Sequence, residues 1–169
     1  MTTPLFSLSG RVALVTGGNG GIGRSIALGF KEHGATVVVT GRNPDKNAAM
    51  AAELGADHAV IDMDVRDETG VNRAVAEIVA QFGSLDILVN NAGIARRGSV
   101  LDMPTEDWRA ILDTHLTGSF LCARSAAKAM VTGGRGGKII NIGSMYSLLG
   151  PPNIASYAAA KTGVVGLTR

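Results

Sequence analysis

Five short apolar runs, separated by longer stretches with helical spacing, constrain this chain more than any other feature. Val12 to Val15, Val37 to Val39, His58 to Ile61, Ile87 to Val89 and Ile139 to Ile142 are rich in β-formers and bounded by Gly, Asn or Asp. Each run is nearly continuously apolar rather than alternating, as expected of strands covered on both faces. Between them, Gly21 to His33 carries Ile22, Ile26, Ala27 and Phe30 at helical spacing, and Pro44 to Leu54 and Asp67 to Phe82 are helical as well. Thr105 to Val131 reads as one long helix, introduced by Pro104 with Glu106 and Asp107 in its first turn, where negative charge suits the helix dipole. The last stretch, Asn153 to Arg169, is small and helix-compatible. Such alternation predicts an α/β chain, a parallel doubly wound sheet with helices on both faces. No repeat, low-complexity tract or linker interrupts it, so residues 1–169 are read as a single domain.

Composition narrows the function classes. An apolar fraction of 46% with 23 glycines fits a compact globule with many tight turns. The net charge is +2 and the charges are dispersed, so no nucleic-acid partner is expected. The lone cysteine, Cys122, lies in an apolar stretch and reads as a small buried hydrophobe in a reducing compartment. The opening MTTPLFSLSG lacks the basic start and apolar segment of a secretion signal, which favours a cytoplasmic protein. No window reaches about 18 uninterrupted apolar residues, so no membrane partner is expected either. No metal site is expected.

The first strand runs into Thr16-Gly17-Gly18-Asn19-Gly20-Gly21-Ile22-Gly23, followed directly by a helix. Glycine is needed where the chain turns sharply, where backbone approaches a pyrophosphate, and where helix and strand pack closely. The helix N-terminus then offers unpaired N–H groups to the phosphates. Between a strand and a helix of one βαβ unit, such a cluster points to a dinucleotide. The second strand ends Val39-Thr40-Gly41-Arg42-Asn43, with no carboxylate for a ribose 2′-OH and with Arg42 in reach of a 2′-phosphate. NADP is therefore expected ahead of NAD.

These residues resemble the short-chain dehydrogenase/reductase family. Gly17, Gly21, Ile22 and Gly23 match the spacing of its glycine turn. Asp64-Val65 is similar to the pair after its third strand, whose Asp contacts the adenine. Asn90-Asn91-Ala92-Gly93 matches the motif beside the adenine ribose. Ser144, Tyr157 and Lys161 match its catalytic serine and its Tyr-x-x-x-Lys pair. The resemblance implies hydride transfer between a nicotinamide cofactor and a small carbonyl or secondary alcohol. It also implies contact of Lys161 with the nicotinamide ribose, and assembly into a homotetramer or dimer through the two long helices. Small residues there (Gly118, Ser119, Ala123, Ala126, Ala158 and Ala159) would permit close packing.

The chemistry is legible from the residues as well. Tyr157 and Lys161 are four apart and share one helix face. A phenol titrates near pH 10 when unperturbed, and a nearby ammonium favours the phenolate, making Tyr157 a usable general acid/base. Ser144, just past the fifth strand, sits where such sheets bind ligands, and its hydroxyl can orient a substrate oxygen.

Two departures from the family pattern stand out. His115 occupies the mid-helix position where the family places an Asn that supports a water-linked proton relay, and His115 is expected to hold the relay water in its stead. The chain also stops within the pattern of its last helix, so it is expected to be truncated, lacking two strands, a substrate-covering loop and a Pro-Gly segment. Ile94-Ala95-Arg96-Arg97 resembles the sugar-acid, gluconate-type dehydrogenases of the family, and the paired arginines suit a carboxylate. The competing readings are a dinucleotide-binding protein without catalysis, which His115 and the short chain allow, and an inactive fragment with an exposed edge strand.

Overall fold

The computed structural model describes residues 5–169. The five apolar runs form parallel strands β1 (Val12–Thr16), β2 (Thr36–Gly41), β3 (Ala59–Asp62), β4 (Ile87–Asn90) and β5 (Lys138–Asn141). Their order is β3-β2-β1-β4-β5. The helices are α1 (Gly21–Glu32), α2 (Pro44–Leu54), α3 (Glu68–Phe82), α4 (Thr105–Leu112), α5 (Gly118–Thr132) and α6 (Ala155–Thr168). From β1 the chain winds outward to β2 and β3, then returns past β1 to β4 and β5. A crevice opens where the direction reverses, between the C-terminal ends of β1 and β4.

Alternate side chains of the central strands feed two cores. Val12, Leu14, Val38 and Leu88 pack with Val71, Val75 and Ile78 of α3 and with Cys122, Ala126 and Met130 of α5. Ala13, Val15, Val37, Val39 and Val89 face the other way, against Ala27 of α1 and Met50 and Leu54 of α2. Cys122 belongs to the first core, and burial pushes its thiol up to about 12. Local chemistry sets the helix boundaries. The side chain of Asn43 caps α2 by accepting from Lys46 N, with Pro44 at the first helical position, and Asp67 caps α3 by accepting from Thr69 N. At the N-terminal ends of the central strands, buried Asp86 accepts from Val12 N (3.0 Å) and Ser84 Oγ (2.8 Å) and pairs with Arg11 and Arg135, both at 3.2 Å.

Three expectations need correction. The apolar runs at 58–61 and 139–142 are not covered on both faces: β3 and β5 are the sheet edges and stay half-buried, with Ile140 43% exposed. The helix from Thr105 to Val131 is not continuous, because a π-helical turn at Asp113–Thr117 separates α4 from α5. A stretch with uniform helical spacing gives no sign of such a bulge, which tertiary contacts select. Asn153 lies outside α6 with φ at 63°, and the helix begins at Ala155. Helix α6 packs on α4 and on the π-helical turn. Among the described residues, no helix is long and apolar enough to cross a membrane.

Candidate active site

The crevice at the strand-order reversal is a cleft of about 390 Å³. Of the residues singled out for the cofactor, Gly17, Asn19, Gly21, Arg42, Asp64, Val65, Asn91, Ala92 and Gly93 line it. Gly17 holds φ +63°, and a Cβ there would lie 2.9 Å from Ala92 Cα, so the turn passes against the β4 loop as only glycine allows. Added Cβ atoms on Gly20 and Gly21 would meet nothing within 4 Å, so bare backbone faces the open crevice. Helix α1 starts there with no side-chain cap and no acidic residue in its first turn. Its first N–H groups are thus left for an anion. These features fit a pyrophosphate cradle. Ile22 and Gly23 stand outside the cleft wall. Ile22 is largely exposed, and Gly23 packs beneath the turn, where a Cβ would come within 2.4 Å of Asn91 Nδ2.

Polar side chains brace the cradle. Thr16 Oγ1 accepts from Asn91 N (3.0 Å) and Ala92 N (3.1 Å), joining the ends of β1 and β4. Asn91 Nδ2 donates to Thr16 O (2.9 Å) and Gly17 O (3.2 Å), so this amide holds the shape of the turn. On the far wall Arg66 grips the Asp64 carboxylate, with Nη2 at 2.6 Å, while Arg42 Nη1 lies 3.4 Å away. The hydrogen bond from the Arg66 side chain overcomes burial, and with the Arg66 N–H and the charges of Arg66 and Arg42 it holds Asp64 at about 2. The anion on this wall is thus already compensated, and Arg42 and Lys46 bring positive charge to it.

The catalytic candidates gather beyond the C-terminal end of β5. Ser144 caps a short 3-10 turn (Met145–Ser147), its Oγ accepting from Tyr146 N at 3.2 Å while its own N–H donates to Ser147 Oγ. Thr162 Oγ1 donates to Ser147 O (3.0 Å), fastening this turn to α6. Tyr146 stands edge-on to Tyr157 at 6.3 Å between centroids. Lys161 Nζ lies 5.7 Å from the Tyr157 ring centroid and donates to Ile142 O at 2.5 Å. Lys161 is 5% exposed, and burial lowers its pKa.

His115 sits in the π-helical turn, buried, and meets Tyr157 edge-on at 5.1 Å. Its Nε2 lies 2.7 Å from Ile94 O and 3.1 Å from Ile94 N, and its Cε1 would be 2.4 Å from a Cβ on Gly93. The ring therefore bolts the loop after β4 to the helix carrying the kink, while its buried Nδ1 has no hydrogen-bond partner among the described residues. Burial depresses its pKa against the hydrogen bond to Ile94, with the Lys161 charge adding to the depression.

Several wall residues carry no signal in their own identity. Asn43, Met63 and Thr114 line the cleft because the ends of β2 and β3 and the kinked helix deliver them there, while Lys46 comes from the first turn of α2. Lys46 was the one open to detection, as a second cation four residues past Arg42. Arg96 turns away to pair with Asp107 at 2.8 Å, so the two arginines do not form a free clamp. Gly118 and Ala126 are buried within the chain, Gly118 against Val65, so their small size serves internal packing.

Comparison with known proteins agrees with this geometry. The sequence model described as short chain dehydrogenase matches residues 11–169. The chain is 38% identical over 170 residues to a 2-dehydro-3-deoxy-D-gluconate 5-dehydrogenase of Escherichia coli, covering 100% of this chain and 67% of that one. It is 43% identical over 161 residues to a 3-oxoacyl-(acyl-carrier-protein) reductase of Staphylococcus aureus, covering 93% of this chain and 65% of the relative. The crystal structure of a short-chain type dehydrogenase/reductase from Mycobacterium marinum superposes with a TM-score of 0.91 at 40% identity, over 97% of this chain and 66% of that chain. The chain thus spans about two thirds of the length of these relatives. With a glycine-cradled crevice at the strand reversal and a Tyr-x-x-x-Lys helix beside it, the chain belongs to the short-chain dehydrogenase/reductase family.

Proposed function

We propose that this chain carries the nucleotide cleft and proton-transfer residues of an NADP(H)-dependent oxidoreductase acting on a small carbonyl or secondary alcohol. The observation that carries the reading is the convergence of Tyr157, Lys161 and the Ser144 turn at the sheet end that also forms the cleft. The family uses nicotinamide dinucleotides, and the bound cofactor would supply or accept the hydride. Gly17, Gly20 and Gly21 with the start of α1 would hold its pyrophosphate, and Arg42 and Lys46 favour a 2′-phosphate. Tyr157 Oη exchanges the proton with the substrate oxygen. Lys161 places positive charge beside that phenol, and the Ser144 hydroxyl orients the same oxygen. His115 fixes the Ile94 loop against Tyr157, and its Nδ1 is the ring atom left for a relay water.

Residues 1–169 are read as one dinucleotide-binding unit. A sugar acid is the second-level reading for the substrate, supported by the name of the E. coli relative and by Arg97, although Arg96 is already paired with Asp107. The test is turnover with NADPH across carbonyl substrates, run beside calorimetric binding of NADPH. We expect Tyr157→Phe to lower kcat by about 10²- to 10⁴-fold while NADPH affinity stays near the parent's. Saturable NADPH binding without turnover of any carbonyl, and without an effect of Tyr157→Phe, would favour a non-catalytic nucleotide-binding protein.

A further inference from the structure

The end of β2 is buried, and Gly41 is its last residue. Gly41 is not among the residues with positive φ, so its backbone accepts any side chain. Space is what excludes one. A Cβ on Gly41 would lie 2.1 Å from Asn19 Nδ2, 2.4 Å from Asn19 Cγ and 2.9 Å from Asn19 Oδ1, so the whole amide of Asn19 occupies that volume. A free amide would swing aside cheaply, but this one is tethered. Asn19 Nδ2 donates to Asn47 Oδ1 at 2.7 Å, and Asn47 Nδ2 donates to Gly41 O at 3.0 Å. The three residues form a closed loop of contacts running from the glycine turn to α2 and back to the end of β2.

Position 41 has functional weight. It lies about twenty residues past the glycine cluster, where an acidic side chain would take the ribose 2′-OH of an unphosphorylated dinucleotide. With Gly41 bare and Asn19 filling the gap, the cleft wall offers Arg42 and Lys46 instead. We propose that Asn19, held in place by Asn47, is a specificity-determining residue of the nucleotide cleft: it keeps any side chain, and so any carboxylate, out of the end of β2. The proposal rests on the NADP(H) reading above and adds the residue that enforces it. A carboxylate at position 41 then cannot reverse cofactor preference alone, because it collides with the tethered amide.

The test measures calorimetric affinities of NADPH and NADH for the parent, Gly41→Asp, Asn19→Ala/Gly41→Asp and Asn47→Ala/Gly41→Asp, with thermal melting of each. The Asn47 variant leaves the cleft wall intact and cuts only the tether. We expect Gly41→Asp alone to weaken both nucleotides by about tenfold or more. Either double variant should recover NADH binding while NADPH stays weak, so the preference inverts. Melting should show the same coupling: Gly41→Ala lowers the transition in the parent and leaves it nearly unchanged in an Asn19→Ala background. If Gly41→Asp alone gains NADH affinity as fully as the double variants, and the melting effects simply add, Asn19 is no gate and the proposal falls. A parent that prefers NADH or binds neither nucleotide overturns the NADP(H) reading and the selectivity built on it. That outcome is recognisable because the steric coupling in the melting data would persist.

Discussion

Single side chains in this protein do their work through what the fold puts beside them, and His115 is the sharpest case. Its ring is neutral in the buried setting because burial disfavours the imidazolium, and a neutral ring with Nε2–H can donate to the Ile94 carbonyl at 2.7 Å. An Asn at this position, as the family pattern has it, has a shorter reach and leaves the edge contact with Tyr157 unmade. For a turnover-competent form, His115→Asn should therefore lower kcat more than it changes KM, and should move the acid limb of the pH–rate profile. Superimposable profiles for parent and variant would remove His115 from the chemistry and leave it a packing residue. Asp64 shows the reverse relation between sequence and setting. The motif marks it for the adenine, and the structure commits its carboxylate mainly to Arg66. The bracing role of Thr16, whose hydroxyl joins two strand ends, has no signal in the sequence, because a Thr closing a β-run is what any strand could carry.

At the scale of elements, the arrangement depends on where strands begin as well as where they end. Asp86, just before β4, accepts from the first N–H of β1, while Arg11 enters from the segment before β1 and Arg135 from the loop before β5. Burial alone would raise this carboxyl, but hydrogen bonds from Val12 N, Ser84 and Arg11 and the charge of Arg135 together hold it below the ordinary Asp value. Asp86→Asn keeps the shape and removes the charge. Hydrogen bonds to charged groups are worth about 1.5–3 kcal/mol, and both arginines remain half-solvated, so we expect a loss of about 2 kcal/mol in urea unfolding. A midpoint shift within error of zero would mean that the two arginines contribute only surface charge. The kink between α4 and α5 belongs to this scale as well. Its π-helical turn brings Thr114 to the glycine-lined cleft while His115 faces Tyr157, so one local distortion shapes both halves of the candidate site.

For the molecule as a whole, acid is the informative stress. Asp64 is held at about 2 and Asp86 below its ordinary value, whereas both return toward about 3.9 in the unfolded chain. Depressed carboxyls stabilise the fold fully above the unfolded value, and that stabilisation is lost as pH falls through the folded one. Stability should thus hold down to about pH 4 and drop between there and about pH 2, with Asp64 contributing about 2 kcal/mol of the loss. Thermal melts at stepped pH check this, and the Asp64→Asn curve should be flatter than the parent's over that interval. Parallel curves would show that the grip of Arg66 on Asp64 does not stabilise the fold.

The sequence by itself determined the architecture and pointed to the end of the sheet where the candidate site lies. Short β-branched runs alternating with helical stretches fit a parallel sheet with helices on both faces, and the glycine cluster between a strand and a helix leaves few conformations for that turn. Residues of one helix, such as Tyr157 and Lys161, were assignable to a common face because helical geometry is local. What only the tertiary structure decided was whatever depends on contacts between distant segments. The bulge at Asp113–Thr117, the half-bare edge β3, the pairing of Arg96 with Asp107 and the wedging of Asn19 over Gly41 are of this kind. Each reflects a volume or charge supplied from elsewhere in the chain, and no local pattern of residues encodes which partner arrives.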